Sequence, residues 1–559
     1  MVRKIFKIFN REFGGLHKAA LVLAVSSVVS AAFGLLRDRL LASTFGAGQS
    51  LDVYYAAFKI PDFIYIASLS LVSVNALIPL FLEKKSASGE EAKKFLNGVF
   101  TFFSLAVLIM AGTAYLAAPY LSGFVAPGFS PEASARLTII TRILLLSPIL
   151  LGLSNLLSGV VQSYNKFFIY ALSPIFYNIG IVLGIIFLAP RWDIYGVAAG
   201  VALGAFAHLA VQLPTIIKLG FMPKLAGVNL KEIFNLAKLS LPRTLGLGLN
   251  QIILLVITAA ASLLGAGSIA VFNLSYNLQS VPLAVIGMSY SVAAFPTLAK
   301  LFVGNRKDEF LKYSSAAVRQ IIFWSIPISA LVIVLRAQIV RVIYGAGSFG
   351  WQDTRLTAAA LALFAVSITS QSLAVLFIRA FYASGKTWKP IMANLVSAFL
   401  IIGLIPIFLK IFSGSDYSRS SFEGALRVSS VGGTRVLALP LAFSVGMIAN
   451  SVMLFAMFEK NFGGVWSAAK KTLYQVLAAS ALMAAVSYFS LGVLDDVFDI
   501  NTLAGISAQG ALAAASGLAV WFYCLRLAGN KELEEVIASF ANKFWKTKVV
   551  APEPESLEK

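Results

Sequence analysis

The chain has 559 residues, of which 58% are hydrophobic and only 13% are charged, and its mean hydropathy is +0.84. Soluble proteins average about 25% charged residues, so this composition excludes a water-soluble globule, and it also excludes disordered, collagen-like and disulfide-stapled chains. One cysteine, Cys524, rules out an intramolecular disulfide and a cysteine metal cluster, and two histidines leave little for metal binding. The sequence therefore predicts an all-α polytopic membrane protein.

The net charge of +20 has two interpretations, nucleic-acid binding and membrane topology. Basic residues collect in the cytoplasmic loops of membrane proteins. We favour that interpretation and expect no nucleic-acid partner.

Fourteen stretches reach the length of about 20 mostly apolar residues that a spanning helix needs. They are numbered as spans 1 to 14 in the order 19–43, 52–82, 96–122, 136–163, 168–189, 195–218, 233–263, 268–302, 312–343, 355–384, 389–411, 435–459, 468–494 and 502–527. Several exceed 25 residues and contain a proline, which kinks a helix. We expect breaks at Pro61, Pro148, Pro282 and Pro327, either as ordinary kinks in a packed bundle or as the lining of a cavity.

The distribution of lysine and arginine predicts the orientation. The N-terminus and the loops after spans 2, 6, 8, 10 and 12 are basic, whereas the loops after spans 1, 3 and 13 are poor in lysine and arginine. Both termini are therefore predicted to be cytoplasmic. The exception is 412–434, which should lie outside yet contains Arg419 and Arg427; its serine and glycine content predicts an insert or flexible loop.

Both ends of the chain carry further signals. Residues 1–18 form a basic N-terminus, which we interpret as the cytoplasmic flank of a retained first span rather than as a signal peptide. Within 528–559, apolar residues recur at helical spacing and predict an amphipathic helix on the inner membrane face; they are Leu533, Ile537, Phe540 and Phe544. The tail 549–559 is expected to be disordered.

The sequence contains an internal repeat. Short motifs recur about 219 residues later, as in Gly46-Ala47-Gly48 with Gly265-Ala266-Gly267, Arg136-Leu137-Thr138 with Arg355-Leu356-Thr357, and Gly128 with Gly347. The repeat holds six spans, so its halves are parallel. We expect two parallel six-helix lobes, 19–218 and 219–459, followed by two extra helices in 460–527. Two lobes facing a central cavity are typical of transporters that work by alternating access.

Ionisable residues inside the spans are candidates for function, because a charge at membrane depth costs at least about 2.5–3.5 kcal/mol. We predict a substrate-binding role for Arg37, Asp38, Asp52, Lys59 and Arg243, although Arg37 and Asp38 could instead form a structural pair. Cations near the boundary between the lobes suit an anionic substrate, especially a phosphate or pyrophosphate. Three further arginines are predicted to be structural; they are Arg142, Arg319 and Arg379.

No Walker A loop, HExxH or GxSxG motif is present. The sequence therefore gives no support for ATP hydrolysis or zinc chemistry, and we expect no enzyme activity, metal or cofactor. An ion gradient or the membrane potential is the driving force that we expect for transport.

The run from Gly34 to Pro61 closely resembles the opening of the MurJ/MviN family. It contains Gly34-Leu35-Leu36-Arg37-Asp38, Ala42, Phe45-Gly46-Ala47-Gly48, Asp52, Ala57-Phe58 and Pro61. Spans 7 and 8 are also similar, through Pro242, Gly246, Gln251-Ile252, Gly267-Ser268, Pro282, Pro296 and Lys300. These proteins are lipid II flippases of the multidrug/oligosaccharidyl-lipid/polysaccharide exporter superfamily.

The resemblance implies that the substrate is a polyprenyl-pyrophosphate-linked glycan, moved across the bacterial inner membrane for peptidoglycan synthesis. Within it, Arg37 matches an essential cavity arginine, Asp38 and Asp52 match acidic positions, and Lys59 matches a basic position. Contact with the cell-wall synthesis machinery is a further implication.

This sequence also departs from the family pattern. Ala31 and Tyr65 stand where the family usually has arginine, and Ser70-Leu71 replaces a Glu-Gly pair. In span 8, Tyr276–Pro282 replaces Asp-Arg-Leu-x-Glu-x-Pro, so a third arginine is missing. Arg243 is an additional cation that could partly compensate.

These observations leave three hypotheses about function. The first is a lipid II flippase with a divergent cavity. The second is an exporter of another polyprenyl-linked glycan or of an amphipathic small molecule. The third is a transport-inactive scaffold in a cell-envelope assembly. The missing arginines favour the second and third, whereas the retention of Arg37, Asp38, Asp52 and Lys59 favours a working cavity.

Overall fold

The computed structural model describes residues 16–72, 74–164, 166–413 and 416–544. Helices joined by loops make up all of their regular secondary structure, with no strand among those residues. An α-helix satisfies its backbone N–H and C=O groups internally, which is a requirement in lipid. The basic segment 1–15 and the tail 549–559 lie outside the described residues.

The helices of the first half run from α1 to α10. They are α1 (Leu16–Phe45), α2 (Gln49–Ala57), α3 (Lys59–Leu71), α4 (Val74–Ala87), α5 (Gly89–Val125), α6 (Pro131–Leu144), α7 (Leu146–Ser163), α8 (Phe167–Leu183), a π-helical turn (Gly184–Leu188), α9 (Ala189–Ala210) and α10 (Leu213–Lys218).

The second half and the C-terminal region contain α11 to α23. They are α11 (Leu230–Ser262), α12 (Ser268–Pro282), a π-helical turn (Leu283–Met288), α13 (Ser289–Val303), α14 (Lys307–Val334), α15 (Arg336–Tyr344), α16 (Trp351–Ala365), α17 (Ile368–Ala383), α18 (Trp388–Ser413), α19 (Asp416–Leu426), a 3₁₀ turn (Thr434–Leu437), α20 (Ala438–Phe462), α21 (Val465–Asp495), α22 (Leu503–Leu527) and α23 (Lys531–Phe544).

Nine stretches of the described residues are long and apolar enough to cross a membrane, or ten if α16 and α17 count as one span. One of them, Phe167–Lys218, has 52 residues. It is interrupted within α9, where Trp192 and Asp193 leave helical geometry and Asp193 has a φ of 50°. The chain is thus an all-helical, multi-pass membrane protein.

The helices cluster into two compact units. The first comprises Met1–Leu278, Val340–Leu363 and Ile391–Gly446, and the second comprises Gln279–Ile339, Phe364–Pro390 and Met447–Lys559. The division into lobes 19–218 and 219–459 stays a prediction from the sequence repeat.

Glycines allow α8 and the π-helical turn after it to pack closely against α9 in the first unit. A Cβ on Gly180 would lie 2.2 Å from the Cα of Gly204, and one on Gly184 would lie 2.6 Å from the Cα of Gly200. Small residues four apart let helix backbones approach in membranes. This packing helps to fix α8, which carries Asn178 of the site described below.

The segment 412–434 is predicted to be an insert or a flexible loop; the flexible-loop alternative is wrong for residues 416–426, which form α19, and the insert stays a prediction. The helix is stabilised by an ion pair between Arg419 and Glu423, whose atoms Nε and Oε1 are 2.7 Å apart. The Thr434 hydroxyl donates to the same carboxylate. Burial opposes its ionisation, but these two hydrogen bonds together lower the pKa of Glu423 below its usual value. The serine and glycine content of this segment therefore did not predict the helix, because contacts such as the Arg419–Glu423 ion pair outweigh a weak helix propensity.

A helix, α23, is present around Leu533 where the sequence predicts one, and its placement on the inner membrane face stays a prediction. Leu533 is buried and Ile537 is exposed. The side chains of Phe540 and Phe544 lie outside the described residues.

Candidate functional site

Arg37 and Asp38 lie together near the end of α1, inside the first unit. The Arg37 Nη2 is 2.8 Å from the Asp38 Oδ1, and the side chains are 25% and 4% exposed. The Arg37 Nε donates to the same oxygen at 2.9 Å. The pair considered in the sequence analysis therefore exists, and the arginine is its more accessible member.

Two asparagines from other helices complete this pair. Asn178 of α8 accepts a hydrogen bond from the Arg37 Nη1 at 3.3 Å. Asn277 of α12 donates to the Asp38 Oδ2 at 3.0 Å. Asn178 is itself oriented, because its amide donates to the Pro174 carbonyl at 3.1 Å. The contacts of Arg37 with described residues use three of its five N–H groups, so the guanidinium retains donors for an anionic ligand.

A second pair of opposite charges lies in the first turn of α3. Lys59 is buried and Asp62 is half-buried, and they stand three residues apart, which places them on one face of the helix. They attract each other electrostatically. The Asp62 Oδ2 also accepts a hydrogen bond from the Gln251 Nε2 of α11 at 3.4 Å.

Two tyrosines lie within electrostatic range of both pairs. Tyr54 interacts electrostatically with Arg37, Asp38 and Asp62, and Tyr177 interacts with Asp62 and Arg37. The cluster thus joins α1, α2, α3 and α8. Its two cations and two carboxylates balance, so its formal charge is zero.

Asp52 is brought to a different place. It is 1% exposed, and its Oδ2 accepts from the Gly267 backbone N–H at 2.6 Å while its Oδ1 accepts from the Ala270 N–H at 2.7 Å. The first N–H groups of a helix have no partner within it, and here the Asp52 carboxylate satisfies two of them at the start of α12. In this conformation Asp52 therefore caps a helix.

The fifth predicted site residue, Arg243, stands within α11. Its side chain lies outside the described residues, so its role stays a prediction.

The three arginines predicted to be structural contact protein groups. The Arg142 Nε donates to the Tyr115 carbonyl at 3.2 Å. Arg319 forms an ion pair with Glu532 at 2.7 Å, and the Arg379 Nη2 lies 3.8 Å from the Met288 sulfur.

Sequence reasoning missed Asp62, Asn178, Gln251 and Asn277. Asp62 had a usable signal, since it is an acid directly after Pro61 in an apolar run, three residues from Lys59. Asn178 is similarly polar within a highly apolar span. The contacts of Asn178 with Arg37, of Gln251 with Asp62 and of Asn277 with Asp38 could not be inferred. Each contact joins residues that lie 141 to 239 positions apart in the sequence. Among the described residues, no group of three or more His, Cys, Asp or Glu side chains could hold a metal ion.

The family model that matches this chain is described as "Lipid II flippase MurJ", and it matches residues 41–509. A probable lipid II flippase MurJ from Buchnera aphidicola subsp. Schizaphis graminum is 29% identical over 413 residues, covering 72% of this chain and 80% of the relative. The lipid II flippase MurJ of Burkholderia cenocepacia is 25% identical over 460 residues, covering 80% and 84%.

Solved structures show the same fold. A lipid II flippase MurJ in an inward closed conformation aligns with a TM-score of 0.72 at 23% identity, covering 90% of this chain and 99% of that structure. An inward-facing MATE transporter of the MOP superfamily aligns with a TM-score of 0.62 at 13% identity, covering 80% and 99%. Since the family model matches well over half of the sequence, the chain belongs to the lipid II flippase MurJ family.

Proposed function

We propose that this chain moves lipid II, the lipid-linked peptidoglycan precursor, from the inner to the outer leaflet by alternating access. The observation that carries the proposal is the family match over residues 41–509. The apolar helices and the family together support a multi-pass protein of the bacterial inner membrane and a transporter rather than an enzyme.

The proposed topology has fourteen spans with both termini in the cytoplasm. Nine stretches qualify as candidate spans by length and hydropathy. Dividing Phe167–Lys218 at Asp193 makes ten, and joining α16 with α17 makes eleven. The broken series α2–α4, together with α1 and α11, brings the number to fourteen. The alternation of basic and lysine-poor loops supports the orientation.

Arg37 is the residue we propose as the main contact of the substrate pyrophosphate. It is a quarter exposed, and a guanidinium can bind two phosphate oxygens at once. Lys59 is proposed as a second cation and Asp38 as the group that orients Arg37. Arg243 remains a proposed contact on α11. For Asp52 the hydrogen bonds to α12 support a role in holding the substrate pathway closed rather than in contacting the lipid.

No cofactor is proposed, and an ion gradient or the membrane potential is the proposed energy source. The proposed partners are the lipid substrate, the bilayer and the cell-wall synthesis machinery.

Another polyprenyl-linked glycan is the alternative substrate, and specific residues favour it. Asn277 and Tyr65 stand at positions where the family pattern has arginine. The cluster of Arg37, Asp38, Lys59 and Asp62 has a formal charge of zero. A cavity with fewer cations would bind the pyrophosphate less strongly and depend more on the rest of the substrate.

Complementation of a bacterium depleted of its own lipid II flippase tests the proposal. We expect the chain to restore growth and cell shape, and the Arg37→Gln/Asp38→Asn variant to fail at equal expression. Lys94→Ala changes an exposed lysine and should behave as wild type. Restored growth with both variants would show that transport does not depend on this charged pair, and no growth with a well-expressed wild-type chain would favour the alternative substrate or the scaffold hypothesis.

A further inference from the structure

Two loop contacts in the first unit are related by the sequence repeat. Each joins the C-terminal end of a long helix in one half of the sequence to a glycine-containing loop in the other half. The proposed flippase cycle requires the halves to separate, so contacts of this kind bear on how one side of the protein is closed.

The first contact joins the end of α1 to the loop before α16. The Ser348 backbone N–H donates to the Ser43 carbonyl at 2.8 Å, and the Ser348 hydroxyl donates to the Thr44 carbonyl at 3.3 Å. Gly347 has a φ of +55°, and a Cβ on it would lie 2.3 Å from the Ser43 oxygen. Side chains larger than hydrogen cannot occupy that space without displacing backbone.

The second contact joins the end of α11 to the loop before α6. The Gly128 N–H donates to the Ser262 hydroxyl at 3.1 Å. A Cβ on Gly128 would lie 2.3 Å from the Ser262 carbonyl oxygen. The close approach of a glycine to a serine carbonyl thus repeats the first contact at the same distance of 2.3 Å, whereas the hydrogen bonds of the two contacts differ.

The pairing of residues follows the repeat. Ser43 and Ser262 are 219 residues apart, and so are Gly128 and Gly347. The helix end of the first half meets the loop of the second half, and the helix end of the second half meets the loop of the first. Such reciprocity is what a two-fold relation between similar halves produces.

The chemistry explains why glycine is needed at both places. The last carbonyls of a helix lack partners within it, so the ends of α1 and α11 present acceptors. A glycine lets the loop backbone approach a serine carbonyl closely, and a hydrogen bond from the Ser348 N–H to the Ser43 carbonyl or from the Gly128 N–H to the Ser262 hydroxyl completes each contact. The contacts contain no ion pair, so they can break and reform without separating charges in a medium of low dielectric constant.

We propose that these two contacts form a paired lock, which closes the transport pathway on the side of the membrane where α1 and α11 end. In the proposed topology this is the outer side, and the inference rests on the proposed alternating-access cycle for its role in transport. Because the contacts are images of each other, both must break when the halves separate, and weakening one weakens the other.

Disulfide trapping tests the lock directly. In a Cys524→Ser background, the pair Thr44→Cys with Ser348→Cys reports the first contact, and its repeat image, Phe129→Cys with Leu263→Cys, reports the second. We expect each pair to crosslink under mild oxidation. Crosslinking should lower lipid II flipping in proteoliposomes at least tenfold, with recovery on reduction. Folded protein that fails to crosslink, or crosslinked protein that flips at the uncrosslinked rate, would overturn the proposal.

Alanine variants test the coupling between the contacts. Gly128→Ala should lower crosslinking of the Thr44–Ser348 pair at least threefold, and Gly347→Ala should do the same for the Phe129–Leu263 pair. Each change lies away from the pair that reports it. Gly265→Ala is the matched control for positive φ, since Gly265 has a φ of +113° and open space around its Cβ position. Folded variants that crosslink like the control would overturn the coupling.

These experiments distinguish a failure of the lock proposal from a failure of the proposed function. Crosslinking yields are measured in membranes without substrate, so they test the lock even if wild-type protein does not flip lipid II. Should an alanine variant fail to fold, the disulfide pairs in the otherwise unchanged chain still decide the outcome.

Discussion

Arg37 combines two roles at the scale of single residues. It neutralises the nearly buried Asp38 and still exposes a quarter of its side chain. Removing the arginine alone would leave a buried carboxylate with Asn277 as its described partner, which destabilises a protein. A variant that separates transport from folding must therefore change both members of the pair.

The double variant Arg37→Gln/Asp38→Asn removes both charges and keeps hydrogen-bonding groups in place. We expect it to fold and to bind lipid II about 10- to 150-fold more weakly, because one charge-assisted hydrogen bond contributes about 1.5–3 kcal/mol. Binding to purified protein is the measurement, with Arg142→Ala as the control cation that contacts the Tyr115 carbonyl. Unchanged binding by a folded double variant would assign the pair to structure alone.

Asp52 gives a prediction about stability. Asp52→Ala leaves the N–H groups of Gly267 and Ala270 without their acceptor, and loss of a helix cap costs about 0.5–2 kcal/mol. Asp52→Asn retains one oxygen and should cost less. Thermal unfolding in detergent measures both. Equal midpoints for Asp52→Ala and wild type would show that the cap contributes no stability.

The sequence was sufficient to single out Arg37 and Asp38, because charged residues in an apolar run are conspicuous. It could not indicate that Asp52 faces a helix end rather than a cavity. That assignment depends on a contact with residues 215 and 218 positions away, which only the folded chain reveals.

At the scale of helices, α23 is attached by a buried polar network. Glu532 is 3% exposed, pairs with Arg319 of α14 at 2.7 Å and accepts from the Thr472 hydroxyl of α21 at 3.0 Å. Glu532 thus joins α14 and α21 to the C-terminal helix, which begins beyond the family match that ends at residue 509.

Glu532→Ala should release α23, because removing one partner of a buried ion pair leaves the other uncompensated. We expect amide hydrogen exchange in α23 to rise at least tenfold. Glu534→Ala, an exposed acid in the same turn, is the control. Unchanged exchange in the Glu532 variant would show that apolar packing alone holds the helix.

Helix breaks were only partly predictable. Pro61 and Pro148 lie in the first turns of α3 and α7, so the breaks precede them at Phe58 and Leu145. Pro327 lies within the continuous helix α14. Proline is tolerated in the first turn of a helix, and hydropathy averaged over about 20 residues cannot locate a break of one residue.

The whole-molecule prediction concerns topology. With single cysteines in a Cys524→Ser background, Ser88→Cys should be protected from an impermeant thiol reagent added outside, and Val497→Cys should be labelled. These positions flank spans 2 and 13 on opposite sides in the proposed arrangement. The reverse pattern in well-expressed protein would contradict the orientation.

The repeat in the sequence predicted related halves, and the reciprocal contacts of Ser43 with Gly347 and Ser262 with Gly128 agree with that relation. Sequence could not define the compact units, since their boundaries fall within continuous helical segments such as Ser268–Val303.

Flipping of lipid II by the purified chain in proteoliposomes tests the central claim most directly. Lipid II is incorporated in both leaflets, and the fraction reached by an impermeant reagent outside is followed with time. The account predicts that wild-type protein makes nearly all of the lipid II accessible, whereas the folded Arg37→Gln/Asp38→Asn variant leaves about half protected over the same period. Equal accessibility with wild type, variant and empty liposomes would contradict it.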